Sequence, residues 1–167
     1  ANDVQVSGGY AYVADGNSGL RVVDIADATH PVEVGHYDTP GYAYRVTVSG
    51  GYACIADRGG GLRVIDITHP RQPMEIGVAD LPGYVDGVTV SGNTAFVTGR
   101  TSGLRVVNIA NPEFPMVVGW YHTPGSANGV TTSGGYVYVA DGEGGVVILK
   151  YSMDAILYQL SHRVSMR

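Results

Sequence analysis

Short apolar or alternating runs, separated by Gly, Pro, Ser and Asp, recur along this chain with a period of 42 residues. Val6-Ser7-Gly8-Gly9-Tyr10 returns as Val48-Ser49-Gly50-Gly51-Tyr52, then as Val90-Ser91-Gly92-Asn93-Thr94 and Thr132-Ser133-Gly134-Gly135-Tyr136. In the second copy the runs are Tyr44–Ser49, Tyr52–Asp57, Leu62–Ile67 and Met74–Ala79. They are rich in Val, Ile, Tyr and Thr and too short for typical helices, so they predict strands. Ser-Gly-Gly joins the first pair and Arg58-Gly59-Gly60-Gly61 the second, both turns in which glycine supplies the backbone freedom. Thr68-His69-Pro70-Arg71-Gln72-Pro73 links the third run to the fourth. Tight connections make successive strands antiparallel neighbours, so each copy predicts a four-stranded meander.

The second and third strands are apolar on both faces: Ala11 and Val13 lie opposite Tyr12 and Ala14, and Leu20 and Val22 opposite Val23 and Ile25. A sheet apolar on both sides must be covered on both sides, and the available cover is another copy of itself. The fourth strand carries Glu33 or Glu75 and is bounded by Pro31 or Pro73, as suits a solvent-facing edge. Twisted four-stranded sheets stacked face to face around an axis form a propeller. The predicted fold is therefore all-β: a propeller or partial propeller of about four blades, 1–42, 43–84, 85–126 and a partial 127–151.

Composition supports an ordered chain. Its 25 Gly and 8 Pro would suggest disorder if scattered, but they occupy fixed columns between apolar runs. A net charge of -5 argues against a nucleic-acid partner, which calls for a basic stripe. No apolar stretch is long enough for a transmembrane helix. The single cysteine excludes an intrachain disulfide.

The strings Leu20-Arg21-Val22-Val23-Asp24-Ile25, Leu62-Arg63-Val64-Ile65-Asp66-Ile67 and Leu104-Arg105-Val106-Val107-Asn108-Ile109 resemble the LVIVD repeat of bacterial and archaeal propellers. The resemblance extends over residues 1–151 through Tyr-Ala-Tyr-Val-Ala-Asp-Gly and the Asp-Thr-Pro-Gly-Tyr-Ala connector. It implies a secreted or surface-attached protein, often part of a larger multidomain chain. It brings no catalytic mechanism, defined ligand or site residues.

The ends depart from the period. The first copy opens directly on a strand at Asp3–Ser7, and the fourth stops after Val146–Tyr151. This predicts the C-terminal portion of a longer array, with a compact four-bladed ring, completed by the tail, as the competing reading. In the tail 152–167, Met153, Ile156, Leu157, Leu160 and Val164 recur at helical spacing after Ser152, predicting a short helix over an exposed blade face.

Columns that recur in every copy serve the blade, whereas a binding site breaks the symmetry. Asp15, Asp57 and Asp141 are accordingly read as turn residues bonding their own backbone. Arg21, Arg63 and Arg105 are read as stacking on aromatics rather than as members of an obligatory Arg–Asp pair. In a meander, the first-strand starts, the second–third turns and the inter-blade connectors share one rim. The columns that vary on that rim supply the candidate ligand-binding residues: Tyr42, Tyr44, Arg45, Arg58, Tyr84, Asp86, Arg100, His122 and Asn128. Cys54 shares a column with Tyr12, Phe96 and Tyr138 and reads as core filler. The histidines fall in different columns without zinc-ligand spacing, so no metal or cofactor is expected.

Together these features predict a non-catalytic module that scaffolds or binds a protein or glycan at a bacterial or archaeal surface. The alternative is a propeller-type hydrolase or lyase using Asp86, Arg45 and His122 on a polar extracellular substrate. Association through the end blades, or through further repeats of a longer chain, is a third expectation, because apolar faces left uncovered attract partners.

Overall fold

The structure, a computed structural model, describes residues 1–151 and 158–159. It contains four four-stranded antiparallel sheets, each a meander in chain order. The first comprises β1 (Asp3–Ser7), β2 (Tyr10–Ala14), β3 (Leu20–Asp24) and β4 (Val32–Tyr37). The second comprises β5 (Arg45–Ser49), β6 (Tyr52–Ala56), β7 (Leu62–Asp66) and β8 (Met74–Ala79), within one residue of the boundaries expected from the pattern. The third holds β9 (Gly87–Ser91), β10 (Thr94–Gly99), β11 (Gly103–Asn108) and β12 (Met116–Tyr121). The fourth holds β13 (Gly129–Ser133), β14 (Tyr136–Ala140), β15 (Val146–Lys150) and the two-residue β16 (Tyr158–Gln159).

Apart from Tyr158–Gln159, the expected tail helix lies outside the described residues. Those two residues are strand instead, pairing Lys150 with Tyr158 and Leu149 with Gln159 as the fourth member of the last sheet.

The register follows the repeat. Tyr12, Cys54, Phe96 and Tyr138 pair in turn with Val22, Val64, Val106 and Ile148. Each of the first three sheets shifts register between its third and fourth strands, at Val22/Val23, Val64/Ile65 and Val106/Val107. Such bulges increase local twist and bend the outer strand.

Both faces of the central strands are covered as the pattern demands. Tyr12, Leu20 and Val22 of the first sheet pack on Val46, Ile55 and Ile65 of the second. Cys54, Leu62 and Val64 on the second sheet's other face meet Val88, Val97 and Val107 of the third. Phe96, Leu104 and Val106 then meet Val137, Val139 and Leu149 of the fourth. Fully burying each such side chain contributes about 1.5–3 kcal/mol. The fourth strands of the first three sheets face solvent, exposing Val32, Met74, Met116 and Trp120.

The first strands are neighbours in the order β1, β5, β9, β13 and form the inner wall. Each leaves one backbone edge without a strand partner, and at β5 and β9 side chains of the preceding copy bond to that edge. Asp3 accepts from Val46 N at 3.0 Å, Gln5 from Val48 N at 2.6 Å, and Thr47 Oγ1 donates to Val88 O at 2.9 Å. The inner edges thus obtain partners without a continuous ladder between blades.

Candidate functional site

The connectors enter the inner wall at one rim, where they meet the β2–β3-type turns of the next blade. In the connector from β4 to β5, Thr39 Oγ1 donates to Asp57 Oδ1 at 2.6 Å, and Gly41 N donates to Asp57 Oδ2 at 2.8 Å. Asp57 is fully buried, and Arg63 Nε stands 3.6 Å from Oδ2. Burial raises the carboxyl above its ordinary value, opposed by the Thr39 and Gly41 hydrogen bonds and by Arg63. A Cβ at Gly41 would overlap the Asp57 carbonyl oxygen, so this position admits only glycine. The connector from β12 to β13 repeats the glycine half of the arrangement: Gly125 N donates to Asp141 Oδ2 at 2.7 Å. Thr123 is buried as Thr39 is, but its Oγ1 makes no hydrogen bond to Asp141 Oδ1.

The connector from β8 to β9 has neither half of this latch. Leu81 replaces the threonine and Gly99 replaces the aspartate. Gly83 adopts φ 75°, a left-handed conformation absent at Gly41 and Gly125. A Cβ at Gly99 would overlap the Tyr84 carbonyl oxygen, so connector backbone occupies the space used by a carboxylate elsewhere.

A charged cluster sits beside this third connector. Asp86 is only 2% exposed; its Oδ2 accepts from Arg100 Nε at 3.1 Å, and Arg58 Nε lies 3.4 Å from Oδ1. Backbone bonds fix both sides: Asp86 N donates to Thr98 O at 2.8 Å, and Val85 N donates to Arg58 O at 3.3 Å. The Arg58 guanidinium lies 4.9 Å from the Tyr42 ring centroid and 4.3 Å from that of Tyr44, within cation–π range. Arg45 also approaches Tyr44, at 5.4 Å, and reaches Asp3 at 3.6 Å. Arg58 has φ 45°, the one left-handed non-glycine among the described residues. Gly16 and Gly142 occupy the same turn column with φ 62° and 56°. The arginine is therefore held where the blade architecture favours glycine, at a cost of about 1–2 kcal/mol.

Tyr44, Arg45, Asp86, Arg100, Ser126 and Asn128 line an open depression of about 400 Å³ at this rim. The LVIVD repeat model matches the chain four times, over residues 1–39, 40–80, 82–123 and 124–152. The chain belongs to the LVIVD-repeat family. No curated protein matches this LVIVD-repeat chain. Among solved structures it is similar to the computationally designed Ika8 protein, with 13% identity and a TM-score of 0.71 over 98% of this chain. The match spans only 50% of the Ika8 chain. It is also similar to the designed Ika4 protein, with 12% identity and a TM-score of 0.72 over 90% of this chain and 91% of that one. Both likenesses concern fold, a repeat propeller.

Of the nine rim candidates in this LVIVD array, Tyr44, Arg45, Asp86, Arg100 and Asn128 line the depression. Tyr42 and Arg58 lie beside it, Tyr42 supporting the Arg58 guanidinium, which in turn faces Asp86. Tyr84 is exposed on the third connector, and His122 is exposed outside the lining. The set Asp86, Arg45 and His122 is thus not brought together. Ser126, a connector residue in the Tyr42 and Tyr84 column, completes the lining.

Two recurring columns act differently from the sequence expectation. Asp57 and Asp141 bond connector atoms 16–18 residues upstream, because the turn delivers their carboxylates into the neighbouring connector. Arg21 and Arg63 reach Glu33 at 3.3 Å and Glu75 at 3.5 Å on their neighbouring outer strands. Only in the third copy does the arginine stack, with Arg105 lying 5.7 Å from the ring centroid of Trp120. Cys54 is 1% exposed, and burial pushes its thiol up to about 12, as befits core filler. Asp24, Asp66 and Asn108 accept from backbone N two residues on, holding the opposite-rim loops in Asx turns.

Proposed function

We propose that this LVIVD-repeat propeller is a non-catalytic binding module at a bacterial or archaeal cell surface, and that its rim depression takes a carboxylate-bearing glycan. The observation carrying this reading is the buried Asp86 between Arg58 and Arg100. Other copies fold with Asn2, Tyr44 or Asn128 in that column, so the blade itself does not require a carboxylate there. Its effect is to orient two guanidinium groups at the rim. Arg45, Arg58 and Arg100 against Asp3 and Asp86 leave one excess positive charge, although the whole chain carries -5.

A planar guanidinium recognises a carboxylate through paired N–H donors. The Tyr44 ring offers a wall for a sugar face, and Asn128 and Ser126 offer partners for hydroxyls. The surface location rests on the implication of the family resemblance.

The test is calorimetric titration with a polyuronate and with a neutral polysaccharide of similar length. Binding is expected for the polyuronate alone. Arg45→Ala and Arg100→Ala should each weaken it about 10-fold or more, the scale of one charge-assisted hydrogen bond, with the melting transition unchanged. Equal affinity for the neutral chain, or binding only to an acidic peptide, would overturn the glycan reading.

A further inference from the structure

The repeat specifies what covers each blade face, because three internal interfaces show the same columns meeting. The face bearing Val46, Ile55 and Ile65 is covered by the preceding blade, as is the corresponding face of the third and fourth sheets. The face bearing Cys54, Leu62 and Val64 is covered by the following blade, as it is in the first and third sheets. Among the described residues, no apolar cluster joins the fourth sheet to the first.

The consequence is visible column by column. Val4 is 58% exposed, whereas Val46 and Val88 in its column are 4% and 8%. Val13 and Val23 are half-buried where Ile55, Val97, Val139, Ile65, Val107 and Leu149 are fully buried. At the other end Ala140 is exposed, while Ala14, Ala56 and Thr98 in its column have no exposure. Tyr138, Val146 and Ile148 are half-buried where their equivalents are core. One end thus presents a face that elsewhere receives a preceding blade, and the other a face that receives a following blade. Such ends complement each other, not themselves.

We infer that these two end faces bind a second copy of this chain head to tail, giving a two-fold ring of eight blades. Heterologous contacts close when the rotation per subunit divides the circle and otherwise grow into filaments. The four blades superpose on half of a designed propeller chain with a TM-score of 0.71, so two copies supply one such full array. The joint between the second and third blades supplies a template for an inner-wall bond at the new one. Thr47 Oγ1 donates to Val88 O, and the same columns at the joint are Thr131, which is exposed, and the Val4 carbonyl of the second copy. This joint is independent of the ligand at the rim.

Sedimentation equilibrium of the 167-residue chain is expected to give a mass of twice 17.5 kDa. Val4→Lys and Ala140→Lys place charges at positions exposed in the single chain, so each variant should keep the wild-type strand signature in the far-ultraviolet spectrum and lose only the share of its melting temperature that dimerisation supplies. Each should raise the dissociation constant about 30-fold or more, as for a central interface position. Mixed together, the two variants retain one intact joint between the unmodified faces, so the mixture should associate more tightly than either alone. A monomer at all concentrations, an assembly larger than two, or a dimer sensitive to only one substitution would each overturn the inference. Failure of rim binding to a polyuronate would leave this measurement unaffected.

Discussion

The connectors into the second and fourth blades are latched, and the connector into the third is not. In the first two, a buried aspartate holds the Pro-Gly backbone, with Gly41 or Gly125 close against it. In the third, Leu81 and Gly99 remove both ends of the latch together. Gly83 turns left-handed, and the rim there carries Asp86, Arg58 and Arg100 instead. The difference separates two uses of buried carboxylate in one repeat. Asp57 and Asp141 hold backbone and recur; Asp86 holds two arginines and does not recur.

The largest break in this contrast comes from Asp57→Ala. It strands the Thr39 hydroxyl and the Gly41 N–H in a buried setting and leaves Arg63 without one of its carboxylates. Hydrogen bonds to charged groups contribute about 1.5–3 kcal/mol each, and an orphaned buried donor adds to the loss. Chemical denaturation should show about 3 kcal/mol of destabilisation. Asp86→Ala, by contrast, should cost less and act mainly on rim binding. Equal destabilisation by the two would erase the distinction between latch and site.

Glycine substitutions should separate the connectors next. Gly41→Ala forces a Cβ into the Asp57 carbonyl oxygen and against the Asp57 carboxylate, which is itself held by Thr39. A loss of more than about 2 kcal/mol is expected, within the range for overpacking. At Gly83 the nearest atom to a Cβ would be Thr101 Oγ1 at 3.6 Å, an ordinary contact, so only the φ of 75° opposes alanine. That penalty is about 1 kcal/mol. Melting curves that rank Gly83→Ala as the more damaging would contradict this account.

A pH series sharpens the same comparison. The folded-state value of Asp57 lies above the ordinary 3.8, with burial as its largest cause. The unfolded chain therefore releases this proton first. The contribution of Asp57 titration to stability is full below the unfolded value and is lost as pH rises through the folded one. Asp57→Asn abolishes that loss, so the stability advantage of wild type over Asp57→Asn should shrink as pH is raised from about 3 to 7. An advantage that grows over this range would reverse the sign of the shift.

The blade was legible in the sequence because alternation within a strand and a 42-residue offset between strands act on the same residues. Val22, Val64 and Val106 could be assigned a face before their partners were known, and all three are buried. The latch was not legible from one copy, since an aspartate beside Gly looks like a local turn residue. Its signal lay between columns: Thr39, Leu81 and Thr123 change in step with Asp57, Gly99 and Asp141. Five rim candidates gathered because the inner-strand starts and the turn bearing Arg100 share one mouth. Tyr84 and His122 did not, because their connector positions point into solvent. Arg21 and Arg63 depart from the stacking expected of their column, which Arg105 follows, because the outer-strand glutamates, Glu33 and Glu75, are brought across by register that a single strand pattern does not reveal.

The smallest effect bears most directly on why the third rim is different. Arg58 occupies φ 45° in a column where the outer two copies have glycine. Backbone strain at a non-glycine residue persists only where surrounding contacts compensate, and here those are Tyr42, Tyr44 and Asp86. Arg58→Ala removes the contacts and keeps the strain, whereas Arg58→Gly removes both. The glycine variant should therefore be more stable than the alanine variant by about 1 kcal/mol. Both should lose rim binding to a similar extent, since neither supplies the guanidinium. An alanine variant as stable as the glycine variant would show that the strained turn carries no energetic cost, and with it would go the argument that Arg58 is retained for what it presents at the rim.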